Sequence, residues 1–260
     1  MTFEEYIDNP LQTRLGAYTR DLYRISYTDR LEKIMVRENN QIEYKLYKNE
    51  KDGSYFMYIK IPSEVVKNFT YDVVIHYVRP KEKGHNVDLD NDLKKYDVQF
   101  FSNDPAFVYN LEYTFKSKDM FVDDMKAKAS PVALRNKPTV TNPNNQLVYC
   151  KAIYFAYLIA KQRGLFIKAK FVDTYNKQQL LDQIEDTDIK IQKRQELGEK
   201  AEADKKQQKK VDQVRKVIVD NSKKRPNFQV ANPIFSNMNN MASKVKGGLK
   251  KPNFNKGKKI

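Results

Sequence analysis

Apolar positions along the chain change period several times, and the changes divide it into segments. In 41–47 (Ile42, Tyr44, Leu46), 55–61, 71–78 and 96–101, apolar and polar residues alternate or run as short β-branched and aromatic stretches. The cleanest alternation lies in 106–115, with Phe107, Tyr109, Leu111, Tyr113 and Phe115. A period of two puts one set of side chains on a core and the other toward solvent, so these segments predict five strands. Asp52-Gly53 within 49–54 predicts a hairpin turn between the first two, and Pro62-Ser63 closes the second. Turn-separated strands of this kind predict an antiparallel β-sandwich or small barrel. The polar, charged stretch 81–95 reads as an exposed loop.

On either side the spacing is helical. Leu22, Ile25, Leu31, Ile34 and Met35 predict one or two short helices in 19–36, an N-terminal arm (1–40) packed on the body. Met120, Val122, Met125 and Ala129 suggest a short helix, and 134–145, with Pro138 and Pro143, a loop. In 147–164, Leu147, Val148, Cys150, Ile153, Phe155, Leu158 and Ile159 cover most of a helix's circumference before Gly164, so a buried helix is expected there. A sixth strand is predicted at 165–172. The expected class is therefore α+β, with a β-rich body over 41–174.

Beyond the body the pattern thins. Residues 175–220 contain no proline and predict one long polar helix. Its seam (Leu180 or Leu181, Ile184, Ile191, Leu197) lapses through 198–210 and resumes at Val211, Val214, Val217 and Ile218, too broken for a coiled coil. Residues 221–260 carry only scattered apolar side chains and predict an extended tail that cannot bury enough surface to order alone.

Charge sharpens this division. Over 260 residues, 48 Lys+Arg against 33 Asp+Glu give +15, yet residues 1–150 sum to zero. From 221 onward there are ten basic residues and no acid: Lys223, Lys224, Arg225, Lys244, Lys246, Lys250, Lys251, Lys256, Lys258 and Lys259. With Phe228, Phe235 and Phe254 interleaved, this suits a strand that neutralises phosphates and stacks on bases. The near repeat Lys224-Arg225-Pro226-Asn227-Phe228 and Lys251-Pro252-Asn253-Phe254, with Asn232-Pro233-Ile234-Phe235, suits a docking peptide instead. Both readings stay open, and both place the binding residues in this arm.

Catalytic signatures are weak by comparison. One cysteine, Cys150, excludes an intramolecular disulfide and a multi-cysteine zinc site. His76 lies in a predicted strand and His85 in the charged loop, without metal-ligand spacing. The run Asp88-Leu89-Asp90-Asn91-Asp92 imitates a calcium loop but meets Leu93 and Gln99 where glycine and glutamate are required. Asp123-Asp124 and the group Asp182, Glu185, Asp186, Asp188 read as solvated faces. No P-loop or nucleophile elbow is present, no 18-residue apolar run occurs, and the start Met1-Thr2-Phe3-Glu4-Glu5 is acidic. The expectation is a non-enzymatic protein with no cofactor, no metal, no membrane contact and no small-molecule substrate.

Several stretches carry a resemblance: Asn9-Pro10-Leu11, Ile42-Glu43-Tyr44-Lys45-Leu46-Tyr47, Ile59-Lys60-Ile61-Pro62-Ser63, Tyr71-Asp72-Val73-Val74-Ile75 and Phe101-Ser102-Asn103-Asp104-Pro105-Ala106-Phe107. Over about residues 9–170 the chain resembles structural proteins of tailed bacteriophages, and its Lys-, Asn- and Tyr-rich usage is similar to that of phages of low-GC hosts. The resemblance implies a virion component with a β-rich body and says nothing specific about the basic tail. Joined to the charge pattern, it gives the expectation of a virion structural protein assembled in the host cytoplasm, packing against other virion proteins and copies of itself and extending its arm onto neighbouring subunits or packaged double-stranded DNA. The resemblance carries over no functional residue. The competing expectation is a cytoplasmic accessory protein that binds nucleic acid non-specifically through the same arm.

Overall fold

A computed structural model describes residues 1–8, 17–38, 41–80, 92–140, 142, 144–148, 150–162 and 172–223. Most of the predicted loop 81–95, the sixth strand at 165–172 except Val172, and the tail from Lys224 onward lie outside them. The chain divides into two units, Met1–Asp204 and Lys205–Ile260.

Four strands form an antiparallel meander: β1 (Tyr44–Lys48), β2 (Tyr55–Pro62), β3 (Thr70–Val78) and β4 (Asp97–Ser102). A short β5 (Asp173–Thr174) joins β1 in parallel, giving the order β4-β3-β2-β1-β5. The predicted hairpin turn is present. Gly53 N–H donates to the Asn49 carbonyl at 2.9 Å and Asn49 N–H to that of Ser54 at 2.8 Å. Gly53 sits at φ +70°, where a Cβ would be strained.

Among the described residues the strands form one open sheet rather than a sandwich or barrel, and the best alternating segment is not a strand. Residues 105–117 form two short helices, α3 (Pro105–Asn110) and α4 (Glu112–Ser117). Phe107, Leu111 and Phe115 alternate on paper, but they also lie four apart, and as a helical stripe all three are buried while Tyr109 is exposed. The start is fixed by Asp104, whose side chain accepts from Ala106 N–H at 2.8 Å, and by Pro105 opening the helix.

Helices cover both faces of the sheet, which is why β2 and β3 are buried almost throughout. One face presents Met57, Ile59, Val73, Ile75 and Phe100. Over it lie α1 (Phe3–Asp8) and α6 (Lys151–Gln162), with ring centroids of Phe3 and Tyr6 5.1 and 4.9 Å from Phe100, and α2 (Ala17–Arg37) packs on α6. The other face presents Phe56, Tyr58, Asp72, Val74, His76 and Phe101. Tyr175 stacks on Phe56 at 4.0 Å there, and Phe121 meets Phe101 edge-on at 6.1 Å. The outer edge of β4 is partly capped, by a bridge from Thr2 to Asp97 and another from Phe121 to Phe100.

Other boundaries differ from the sequence reading. Helix α1 is set by a capping box: Thr2 N–H donates to Glu5 at 2.8 Å and Glu5 N–H to the Thr2 hydroxyl at 3.2 Å. The helix expected in 19–36 is one continuous α2. The short helix near 120–129 is an extended bridge at Phe121 followed by a 3-10 turn, Asp123–Met125. The predicted loop from 134 begins inside α5 (Pro131–Arg135), and α6 starts four residues later than expected. The long polar helix is two: α7 (Lys177–Gln183), capped by Asn176, and α8 (Thr187–Lys223). Leu180 and Ile184 are buried in the main core, Ile191 is buried as well, and Leu197 is exposed.

Candidate functional site

Of the basic-arm residues, Lys223 is the last residue of α8. Lys224, Arg225, Phe228, Lys244, Lys246, Lys250, Lys251, Phe254, Lys256, Lys258 and Lys259 lie outside the described residues.

The chemistry-bearing residues of the 1–204 unit are mostly committed to its packing. His76 stacks on Phe56 at 4.0 Å, opposite Tyr175, and its Nδ1 lies 2.9 Å from Gln99 Oε1. Burial pulls its pKa below the ordinary value, so the ring is neutral. Burial raises the Asp124 carboxyl, but hydrogen bonds from Lys177 (2.7 Å) and Tyr175 (2.5 Å) outweigh it and hold the group below its usual range. Asp123 pairs with Lys126 at 2.9 Å on the surface. Asp72 is buried, accepting from Tyr58 at 2.8 Å and from Asn103 Nδ2 at 2.7 Å, while Asn103 Oδ1 accepts Asp72 N–H at 2.7 Å. Lys190 lies 3.7 Å from Asp72 and 3.6 Å from Glu185, tying the start of α8 to the sheet.

The residues that converge on open space lie elsewhere. A cavity of about 320 Å³ opens between α2, the turn after β2, α3, α6 and α8. Arg30 comes from α2, Glu64 from the turn, Asp104 from the cap of α3, Lys151 from the first turn of α6 and Arg194 from α8. Lys151 Nζ bonds Glu64 at 2.5 Å and Arg30 reaches the same carboxylate at 3.7 Å. Arg194 Nε donates to the Tyr71 hydroxyl at 2.6 Å. Asp104 is 6% exposed, and burial raises its pKa against the pull of Lys151 and its own capping bonds. Cys150 also lines the cavity; burial pushes its thiol up to about 12, so it is not a thiolate nucleophile at neutral pH. Among the described residues no three His, Cys, Asp or Glu side chains come together in a metal-binding group.

This convergence is invisible along the sequence, since its groups lie between positions 30 and 194 and no local motif joins them. A partial signal exists in Ser102-Asn103-Asp104-Pro105, which marks a capped helix start where an alternating strand is otherwise read. Comparison with protein-family models, with curated proteins and with solved structures finds no match. Among the described residues no helix is long and apolar enough to cross a membrane.

Proposed function

We propose that this chain is a non-enzymatic structural protein of a phage particle. It packs through its 1–204 unit and holds neighbouring subunits or packaged DNA with its basic C-terminal segment. One observation carries the reading: charge and architecture divide at the same place. The 1–204 unit has 32 Lys+Arg and 31 Asp+Glu, while 205–260 has 16 Lys+Arg and two Asp, so the second unit holds +14 of the +15. A neutral, aromatic-rich unit supplies shape and interface area, and the cationic segment supplies electrostatic attraction to an acidic or phosphate-bearing partner.

The alternative, a cytoplasmic nucleic-acid-binding accessory protein, is favoured by the acid-free run of ten positive charges over 221–260. Filter binding of the full chain to double-stranded DNA at two salt concentrations separates a nucleic-acid-binding arm from one that docks on protein. Nucleic-acid binding by the arm falls by orders of magnitude over a few-fold rise in salt. A protein-docking arm shows little DNA affinity at physiological salt.

A further inference from the structure

A groove of about 520 Å³ on the 1–204 unit runs between α3, α4, α5, the segment after α5 and the first turns of α8. Its wall carries Tyr109, Tyr113, Val132 and Pro138. Tyr109 is 55% exposed and Val132 66%, and Tyr109 is the one exposed aromatic among the described residues. Ile189 and Val140, exposed as well, follow the lining residues Asp188 and Thr139 in the chain. Large apolar side chains gathered at one opening and rimmed by polar groups mark a surface that a partner covers. Asp188 supplies the groove's carboxylate from the first turn of α8. Among the described residues it enters no ion pair, whereas Asp186, two residues before it, meets Lys128 at 3.1 Å. The wall's one cation, Lys137, comes from the segment after α5. The groove is therefore aromatic and neutral overall, with an unpaired acid where α8 borders it.

The chain itself carries segments of matching chemistry. Lys224-Arg225-Pro226-Asn227-Phe228 and Lys251-Pro252-Asn253-Phe254 each set a cation ahead of a proline and end on a phenylalanine. Proline-containing segments dock in grooves lined by aromatic side chains, and a large ring is the kind of anchor that such a groove buries. The preceding cation complements Asp188. Chain length decides which copy supplies the motif. Helix α8 is unbroken over its 37 residues and so about 55 Å long, and the groove draws on its first turns through Asp188 and Ile191. Phe228 follows the last helical residue, Lys223, by five residues, which extend at most about 18 Å. The first motif therefore reaches only the groove of another copy. We propose that this groove takes the Pro-Asn-Phe motif of a second copy of the chain, so that copies join head to tail. Groove and motif are different surfaces, so the contact is heterologous, and repetition builds a ring or a filament. The inference rests on the structural role proposed above, in the form in which the arm docks on protein.

The test is analytical ultracentrifugation of the nuclease-treated full chain over a range of concentrations at physiological salt. It is repeated on a groove variant, Tyr109→Ser with Val132→Lys, and on a motif variant, Phe228→Ala with Phe254→Ala. Expected are concentration-dependent association of the unmodified chain and association at least tenfold weaker in each variant alone. An equimolar mixture of the two variants is expected to form a 1:1 dimer that grows no further, because one chain has kept its motif and the other its groove. Phe228 and Phe254 lie outside the 1–204 unit, so the motif variant stands even if the groove variant fails to fold. In that motif variant, a peptide of residues 222–230 is expected to shift the amide signals of Tyr109, Val132 and Asp188. The proposal is overturned if the unmodified chain associates with a Kd weaker than about 1 mM, if both folded variants associate as it does, if their mixture stays monomeric, or if the peptide leaves those amides unmoved. Particle composition and DNA content judge the structural role separately, so an arm that docks elsewhere in the particle overturns this inference alone.

Discussion

Glu112 offers the sharpest physical test of the fold. It opens α4 yet is fully buried; its Oε1 accepts Ser130 N–H at 3.1 Å and its Oε2 meets no partner. Desolvation is the main cause that pushes its pKa up to about 8, with the nearby Asp188 charge adding to it against the Ser130 bond. The native state therefore holds a proton that the unfolded chain, titrating near 4.5, releases. Stability from this group is full below about pH 4.5 and is lost as pH rises to 8, the reverse of a salt-bridged carboxylate. The gap between 4.5 and about 8 corresponds to a loss of about 5 kcal/mol at roughly 1.4 kcal/mol per pKa unit, of which about 3 kcal/mol is spent by pH 7. Glu112→Gln keeps the acceptor for Ser130 and removes the titration, while its amide N–H₂ costs about 1–3 kcal/mol where Oε2 has no partner. Urea unfolding of both chains at pH 5, 6, 7 and 8 reads the difference. The wild type is expected to lose several kcal/mol more than the variant across that range, so that the two curves converge or cross. Parallel curves from pH 5 to 8 would show that Glu112 is ionised in the native state and that its surroundings are wet.

Other substitutions probe other layers. Asn103→Ala removes both of its side-chain bonds to Asp72 and leaves a buried carboxylate oxygen and N–H without the amide, at a cost of about 2–5 kcal/mol in urea unfolding; a loss under 1 kcal/mol would mean that water replaces the amide. Phe155→Ala, at a fully buried position of α6 that meets Tyr27 of α2 edge-on, should cost about 3–5 kcal/mol and lower Tm by roughly 6–20 °C. Gly53→Ala should cost only about 1–2 kcal/mol, all of it backbone strain at φ +70°, since the added Cβ lies 3.8 Å from Arg79; a larger loss would point to a tighter hairpin.

The sheet was largely legible in the sequence and the cavity was not. The segments 41–47, 55–61, 71–78 and 96–101 coincide with β1 to β4 within a few residues, because short apolar runs bounded by Asp-Gly and Pro-Ser can hardly be anything else. Residues 106–115 defeated the same reasoning, since Phe107, Leu111 and Phe115 satisfy a period of two and a period near four together. Only the Asp104-Pro105 cap breaks that tie. The polar helix divides at Ile184–Asp186 because Ile184 turns into the main core with Leu180, a tertiary contact that helix propensity does not register. Arg30, Lys151 and Arg194 meet only once three helices have packed, and each alone reads as an ordinary surface cation.

The central claim is that a neutral packing unit carries a cationic segment that engages a partner in an assembled particle. The most direct measurement is the composition and DNA content of particles assembled with the chain whose ten Lys and Arg residues in 221–260 are replaced by glutamine. The account predicts particles that lose this chain, a neighbouring subunit or DNA. Particles with unchanged composition and DNA content would contradict it.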